Sequence, residues 1–182
     1  VRTYKWIFVL GCNNSGTTLL NEILARCPAI GTMQLEGQYA TRAMPNPAMY
    51  QVSRLWTEHL DTFRPAEGDR RYDLPRIFFD WLHQIPEAGH VQFIAEKSPP
   101  NTVRSLWLQS VFGECYFIGL IRNGYAVAEG IRRREGYSID RCARHWNVAN
   151  KVMLDDARQL EHFLLLRYEN FTRDPVAGVD AI

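Results

Sequence analysis

Four short apolar runs along the chain have the pattern of buried β-strands. The first spans 5–10, reads Lys-Trp-Ile-Phe-Val-Leu and ends at Gly11. A short run of β-branched and aromatic residues is typical of a strand that is covered on both faces. Runs of the same kind span 91–95, 115–121 and 163–166. The pattern therefore predicts four strands in the interior of a sheet.

Amphipathic segments separate the predicted strands. Leu20, Ile23 and Leu24 fall on one face of a helix over 17–24, and Pro28 ends that pattern. Further helices are predicted over 48–62, 73–85, 100–111, 124–135 and 139–160. Strands that alternate with helices indicate an α/β fold with a doubly wound parallel sheet and helices on both faces.

The composition is that of a globular protein with little net charge. The chain has 182 residues, of which 46% are hydrophobic, and it carries 21 Lys and Arg against 20 Asp and Glu, so its formal net charge is +1. This balance excludes the overall basicity of a general nucleic-acid-binding protein, so any anion site must be local. No segment is apolar over the roughly 18 residues that a membrane span needs. We therefore expect a single domain over residues 1–182, with no nucleic-acid partner and no membrane span.

The four cysteines show neither a metal-binding pattern nor a disulfide framework. Cys12, Cys27, Cys115 and Cys142 are scattered, without a C-x-x-C pair or a partnering cluster of histidines. Free thiols in a reducing compartment fit this pattern best, and the strand predicted close to Val1 leaves no room for a signal segment. We therefore expect a cytoplasmic location and no metal centre.

Residues 11–18 form a loop of the sequence Gly-Cys-Asn-Asn-Ser-Gly-Thr-Thr between the first predicted strand and its helix. Ligands of doubly wound sheets bind at the carboxyl ends of the strands, where this loop lies. Gly11 and Gly16 permit backbone angles that let successive N–H groups converge on one anion at the start of the helix. Side-chain hydroxyl donors come from Ser15, Thr17 and Thr18. The loop predicts a phosphate-type anion site, with a capped tight turn as the structural alternative.

The same loop differs from that of nucleoside-triphosphate enzymes. Its spacing resembles G-x-x-x-x-G-K-[ST], but Thr17 stands at the lysine position. Such enzymes also need a magnesium-binding acid after another strand, and Glu96 is the only carboxylate that directly follows a predicted strand. An ordinary kinase or NTPase is therefore disfavoured, although it stays as an alternative.

The loop resembles that of the sulfotransferases, a family with a P-loop-like fold in which a basic residue precedes Ser-Gly-Thr-Thr. Residues 15–18 match this motif, whereas the basic residue is replaced by Asn14. The resemblance implies that the loop holds the 5′-phosphosulfate of 3′-phosphoadenosine 5′-phosphosulfate (PAPS), the sulfuryl donor of the family. The cofactor-binding residues that it implies here are Asn13, Asn14, Ser15, Gly16, Thr17 and Thr18.

A second part of the resemblance concerns the 3′-phosphate of PAPS. In the family an Arg at the end of a later strand and a Ser eight residues on bind this phosphate; here these positions are Arg122 and Gly130, so the hydroxyl is absent. Within the family, the sequence resembles the tyrosylprotein sulfotransferase branch most closely in its motifs. Arg134 lies where this branch has another phosphate-contacting Arg, and Tyr168 belongs to a Tyr-Glu sequence that matches one of the branch. The resemblance therefore implies that Arg122, Arg134 and Tyr168 contact PAPS, with a rim tyrosine that closes the core as the alternative for Tyr168.

The catalytic residues that the resemblance implies are Glu36 and Lys97. Glu36 follows the first helix, where tyrosylprotein sulfotransferases place a catalytic Glu, and would be the general base; a solvent-facing loop carboxylate is the alternative. Lys97 matches the Lys-x-Pro turn of that branch and would stabilise the leaving group, unless it is a surface lysine. We expect Ser98 to cap the helix that follows.

Taken together, the motifs predict a sulfotransferase that moves a sulfuryl group from PAPS to an acceptor hydroxyl by in-line displacement, without a metal. A P-loop kinase or NTPase is one alternative, and a nucleotide-binding domain without transfer activity, suggested by Asn14 and Gly130, is another. The acceptor is open between peptide tyrosine, carbohydrate and small molecule, and so is the oligomeric state. The family continues with a further loop over the 3′-phosphate, so we expect the chain to be truncated at its C-terminus.

Overall fold

The computed structural model describes residues 4–85 and 90–182, and its centre is a five-stranded sheet. The strands are β1 Lys5–Leu10, β2 Ile30–Thr32, β3 Phe93–Glu96, β4 Cys115–Ile121 and β5 Phe163–Arg167. They lie in the order β2-β3-β1-β4-β5, and each pairs in parallel with its neighbours. The four predicted strands are present and the parallel sheet is confirmed. The sequence pattern missed β2, a three-residue strand at the edge of the sheet.

Helices connect these strands. Their bounds are α1 Thr17–Leu24, α2 Gly37–Ala40, α3 Leu60–Phe63, α4 Leu74–Leu82, α5 Ser105–Phe112, α6 Gly124–Glu135, α7 Ile139–Asp156, α8 Tyr168–Arg173 and α9 Pro175–Asp180. The helix predicted over 100–111 begins as the 3₁₀ turn Pro99–Val103 and continues as α5. Within residues 4–85 and 90–182, no helix has the length and apolar character needed to cross a lipid bilayer.

The helix predicted over 48–62 is wrong as one continuous element. It consists of two 3₁₀ turns, Pro47–Tyr50 and Trp56–His59, followed by the single turn of α3. Gln51 lies between the two turns with a left-handed φ of 55°, and a right-handed helix cannot pass through that backbone conformation. The segment is therefore irregular, and its residues Leu55, Trp56 and Phe63 are buried in a hydrophobic cluster with Val127 and Ile131 of α6.

Both faces of the sheet are covered by helices, as the hydrophobic pattern predicts. Alternate residues of β1 point to opposite faces. On one face the ring of Trp6 packs against Trp81 of α4 and Phe112 of α5, with centroid distances of 5.7 and 4.9 Å. On the other face Ile7 shares a buried cluster with Leu20 of α1. The α/β fold with a doubly wound sheet is therefore confirmed.

The order of the strands determines where a ligand can bind. β1 lies at the centre of the sheet, between β3 and β4, so the chain continues from β1 to one side of the sheet and later crosses to the other side. Such a reversal leaves a crevice outside the carboxyl ends of the strands. The loop after β1, Lys97 after β3 and Arg122 after β4 all lie at this crevice.

Candidate functional site

A cavity of about 700 Å³ lies at the carboxyl ends of β1, β3 and β4. The sequence-predicted site residues that line it are Asn13, Asn14, Gly16, Thr17, Thr18, Glu36, Lys97, Arg122 and Arg134. The remaining two lie behind this lining: Ser15 is hydrogen-bonded to Cys12, and the ring of Tyr168 packs on Gly16. The fold therefore brings residues from four separate parts of the chain into one polar cavity.

The loop after β1 exposes the start of α1 to this cavity. Asn14 and Gly16 have left-handed φ angles of 67° and 94°, which Asn and Gly adopt at low cost. Asn123 caps α6 and Ser138 caps α7 through side-chain hydrogen bonds, whereas α1 receives no such cap from any residue that the structure describes. The first N–H groups of a helix have no acceptor within the helix. Those of α1 are therefore available to an anion in the cavity.

Ser15 has a structural place within the loop. Its hydroxyl and its backbone N–H both donate to the carbonyl oxygen of Cys12, the latter at 3.1 Å. Its side chain is buried, whereas the hydroxyl-bearing residues Thr17 and Thr18 line the cavity. Asn13 is anchored as well, because its Oδ1 accepts a hydrogen bond of 3.1 Å from Nε1 of Trp56. These hydrogen bonds fix the conformation of the loop.

Arg122 is held between the loop and Tyr168. Its Nη1 donates to the carbonyl oxygen of Asn14 at 2.9 Å, and its guanidinium lies 4.4 Å from the ring centroid of Tyr168. The same ring packs so tightly on Gly16 that a Cβ atom at that position would overlap it. Tyr168 therefore positions Arg122 and the loop from behind.

One face of α6 forms the far wall of the cavity. Ala126, Gly130 and Arg134 follow one another at four-residue spacing and line it together. A Cβ atom on Gly130 would lie 2.8 Å from Nδ2 of Asn14. The two positions at which the sequence differs from the sulfotransferase motifs, Asn14 and Gly130, are thus direct neighbours in space.

Glu36 and Lys97 form an ion pair at the opposite wall. Lys97 Nζ donates to Glu36 Oε1, and Gln38 Nε2 donates to Glu36 Oε2 at 2.6 Å. The side chains of Lys97 and Glu36 are 11% and 22% exposed, so the pair is largely removed from solvent. The alternatives of a solvent-facing carboxylate and a surface lysine do not describe these positions.

Glu96 connects the end of β3 to the segment that carries Glu36. Its side chain is fully buried and accepts hydrogen bonds from Gly37 N at 2.8 Å, from Ser98 Oγ and from Asn101 Nδ2. Ser98 stands at the N-cap position of the 3₁₀ turn Pro99–Val103 but makes no side-chain cap hydrogen bond, so the expectation that it caps the following helix is wrong. Its Oγ accepts from Gln38 N at 3.1 Å instead. Burial raises the pKa of the Glu96 carboxyl above its usual range. This network fixes the backbone next to Glu36.

Replacing Glu96 with alanine is expected to lower the free energy of unfolding by about 3 kcal/mol, because each buried donor left unpaired costs about 1–3 kcal/mol. Glu96→Gln keeps an acceptor for Gly37 and Ser98. Its amide can also donate to Asn101 Oδ1, which lacks a partner among the described residues, once the Asn101 amide turns over. Urea unfolding of both variants measures these effects.

The pH dependence of the Glu96→Gln effect tests the charge at this position. Because the pKa of Glu96 is raised in the folded protein, ionising it destabilises the fold as the pH rises from the unfolded-state pKa through the folded-state pKa. The stability of Glu96→Gln relative to the unsubstituted protein should therefore increase as the pH rises above 4.5, the ordinary pKa of a glutamate side chain. A difference that does not change with pH would contradict a buried, strained charge at Glu96.

Sequence motifs missed several residues of the cavity. Tyr39, Ser53, Arg54, Pro99 and Glu135 also line it. Arg54 comes from the irregular segment that the hydrophobic pattern assigned to a helix, so no motif or periodicity could have marked it. Among the residues described, no cluster of three or more His, Cys, Asp or Glu side chains could hold a metal ion.

The chain is similar to known proteins both in sequence and in fold. A family model described as "Sulfotransferase family" matches residues 7–182. A search of curated proteins found no match. The sulfotransferase domain of the Synechococcus PCC 7002 olefin synthase superposes with a TM-score of 0.64 at 19% identity, covering 98% of this chain and 72% of that domain's chain.

Two further solved structures share the fold. A sulfotransferase from Alicyclobacillus acidocaldarius gives a TM-score of 0.58 at 17% identity, over 98% of this chain and 78% of the other. A gluconokinase from Sinorhizobium meliloti 1021 gives 0.52 at 16% identity, over 99% and 94%. At these identities the superpositions show a common fold, and the family match over residues 7–182 distinguishes between the two activities.

Proposed function

The chain belongs to the sulfotransferase family, and on that premise we propose that it transfers a sulfuryl group from PAPS to the hydroxyl group of an acceptor. The observation that carries this proposal is the placement of the uncapped start of α1 and the Glu36–Lys97 ion pair in one cavity. An anion held at the helix start then lies beside a carboxylate and an ammonium group. Sulfuryl transfer needs these three elements together.

The charges of the cavity favour a nucleotide with anionic groups at two places. Four cationic side chains, Arg54, Lys97, Arg122 and Arg134, line it together with two carboxylates, Glu36 and Glu135. We assign the 5′-phosphosulfate of PAPS to the N–H groups at the start of α1. Arg122 and Arg134, on the α6 side of the loop, then bind the 3′-phosphate.

In the proposed reaction the acceptor oxygen attacks sulfur in line with the bond to the 5′-phosphate oxygen. Glu36 takes the proton of the acceptor hydroxyl as the new O–S bond forms. The bond between sulfur and the bridging oxygen breaks, and negative charge develops on that oxygen. Lys97 stabilises this charge, and the products are the sulfated acceptor and adenosine 3′,5′-bisphosphate. The reaction balances without a metal or a redox partner.

Two measurements test the proposed function. Calorimetry with adenosine 3′,5′-bisphosphate should show binding at one site per chain. Incubation with ³⁵S-labelled PAPS and a panel of tyrosine peptides, carbohydrates and small alcohols should then transfer label to at least one acceptor. Absence of nucleotide binding in a folded sample contradicts the proposal, whereas binding without transfer to any acceptor supports a nucleotide-binding domain that lacks transfer activity.

Arg122 provides a prediction for the 3′-phosphate. Arg122→Gln should weaken adenosine 3′,5′-bisphosphate binding by about 10- to 100-fold, the usual effect of losing charge-assisted hydrogen bonds. The effect on adenosine 5′-phosphosulfate, which lacks the 3′-phosphate, should be several-fold smaller. Arg167→Gln is the matched control, because Arg167 is exposed and precedes Tyr168. Equal losses for the two nucleotides would show that Arg122 acts only by holding Asn14.

A further inference from the structure

Arg54 lines the cavity from a segment without any sequence motif. Its Nε donates to Glu135 Oε1 at 2.7 Å, and its Nη1 donates to Asn14 Oδ1 at 3.4 Å. The side chain is 20% exposed and lines the cavity between the loop and α6. The guanidinium is therefore held in place on one edge by Glu135 and on another by Asn14.

Asn14 leaves the loop without a charge of its own. It is the residue before Ser15, and its side chain ends at the amide that Arg54 contacts. A longer cationic side chain at position 14 would carry its charge beyond the Oδ1 position, into the space that the guanidinium of Arg54 occupies. Arg54 thus places a positive charge where a basic residue in the loop would place one.

A second observation indicates that this place faces a ligand. Asn14 Nδ2 is buried and has no hydrogen-bond partner among the described residues. Buried amide donors are nearly always paired, so an unpaired one beside a polar cavity indicates an acceptor that completes it. The missing side chain of Gly130 lets this amide pack against α6, because a Cβ there would lie 2.8 Å from Nδ2.

Glu135 accounts for the orientation of the guanidinium. A carboxylate in the lining of an anion site would repel the ligand unless it were paired, and Arg54 Nε pairs with it. Within residues 4–85 and 90–182, Arg54 Nη2 has no hydrogen-bond partner. Donor groups of the guanidinium fork therefore stay available for phosphate or sulfate oxygens.

We propose that Arg54 binds the 5′-phosphosulfate of the sulfuryl donor and supplies the positive charge that the loop lacks at Asn14. The proposal rests on the proposed function, since it assumes that PAPS occupies the cavity. It makes Arg54 a nucleotide-binding residue, with Glu135 as the residue that positions it. The start of α1 and Arg54 then hold the same anionic group from two sides.

The test compares three nucleotides by calorimetry. Arg54→Gln should weaken binding of adenosine 3′,5′-bisphosphate and of adenosine 5′-phosphosulfate by about 10- to 100-fold. Binding of adenosine 3′-phosphate, which has no 5′ anionic group, should change by less than about threefold because its phosphate contacts Arg122 and Arg134. Arg133→Gln is the matched control, since Arg133 is exposed on the same helix as Glu135 and pairs with Glu129.

Two double variants decide whether Arg54 acts directly. Arg54→Gln with Glu135→Gln removes both charges of the pair; nucleotide affinity should stay low, and recovery to the unsubstituted level would show that Arg54 merely neutralises Glu135. Arg54→Gln with Asn14→Lys returns a cation to the loop and should restore affinity by at least about fivefold.

Other results of the same experiment overturn the inference. Unchanged affinity in Arg54→Gln, or a loss that follows the 3′-phosphate, contradicts it while nucleotide binding by the unsubstituted protein still supports the proposed function. No binding of any of the three nucleotides by the unsubstituted protein contradicts the proposed function itself. Thermal unfolding of each variant shows that the samples are folded.

Discussion

Replacing Glu36 with glutamine is expected to lower kcat for sulfuryl transfer by about 10²- to 10⁴-fold, the usual contribution of a positioned general base. Glutamine has the shape of glutamate, and its Oε1 can still accept from Lys97 Nζ. Gln38 Oε1 has no partner among the described residues, so the Gln38 amide can turn over and accept from the new Nε2, and the loop should keep its position. The introduced glutamine cannot take the proton of the acceptor hydroxyl. Transfer of ³⁵S from labelled PAPS, followed under single-turnover conditions, measures the chemical step without product release.

The controls for Glu36→Gln separate chemistry from binding. Affinity for adenosine 3′,5′-bisphosphate should change by less than about threefold, because the nucleotide is assigned to the other wall of the cavity. Glu22→Gln is the matched variant: Glu22 is an exposed carboxylate that shares with Glu36 the lining of a neighbouring 310 Å³ cavity. Equal activity of Glu36→Gln and the unsubstituted protein would remove Glu36 from the mechanism.

The sequence pattern predicted the strands that are buried on both faces and the helices that have a clear apolar face of their own. β1 and β4 are uninterrupted apolar runs, and α1 and α6 have clear helical faces, so each element is determined by its own residues. β2 has no such pattern. Its three residues pair with β3, and the side chains of Ile85 and Val91 pack where Gly31 has no Cβ. A strand of this kind forms through tertiary contacts that no local periodicity shows.

The candidate site likewise contains residues that sequence motifs could identify and residues that they could not. Motifs marked residues that directly follow strands or begin helices, such as Thr17, Lys97 and Arg122, because strand ends in a parallel sheet must converge. The position of Arg54 and the hydrogen bonds of Glu96 depend on contacts between distant parts of the chain: Arg54 and Asn14 are 40 residues apart, and Gly37 and Glu96 are 59 apart. Sequence spacing carries no information about such contacts. The neighbouring positions of Asn14 and Gly130 likewise emerged only from the structure.

Replacing Lys97 with methionine is expected to lower kcat by about 10²- to 10³-fold, as losing one preorganised group at the developing charge does in other transfer enzymes. Methionine keeps much of the apolar stem but has no charge for the bridging oxygen. Glu36 then loses the partner of its Oε1 while Gln38 still donates to Oε2, so the carboxylate stays in the cavity. The same single-turnover assay measures this effect.

Further variants distinguish charge stabilisation at Lys97 from a structural role. Lys97→Arg keeps the positive charge and should recover at least about tenfold of the activity lost in Lys97→Met, since a guanidinium can donate to the same oxygen. Lys151→Met, at an exposed lysine of α7, should leave transfer unchanged. If Lys97→Met transfers sulfate at the full rate, or if Lys97→Arg is as slow as Lys97→Met in a folded sample, positive charge at position 97 does not stabilise the leaving group.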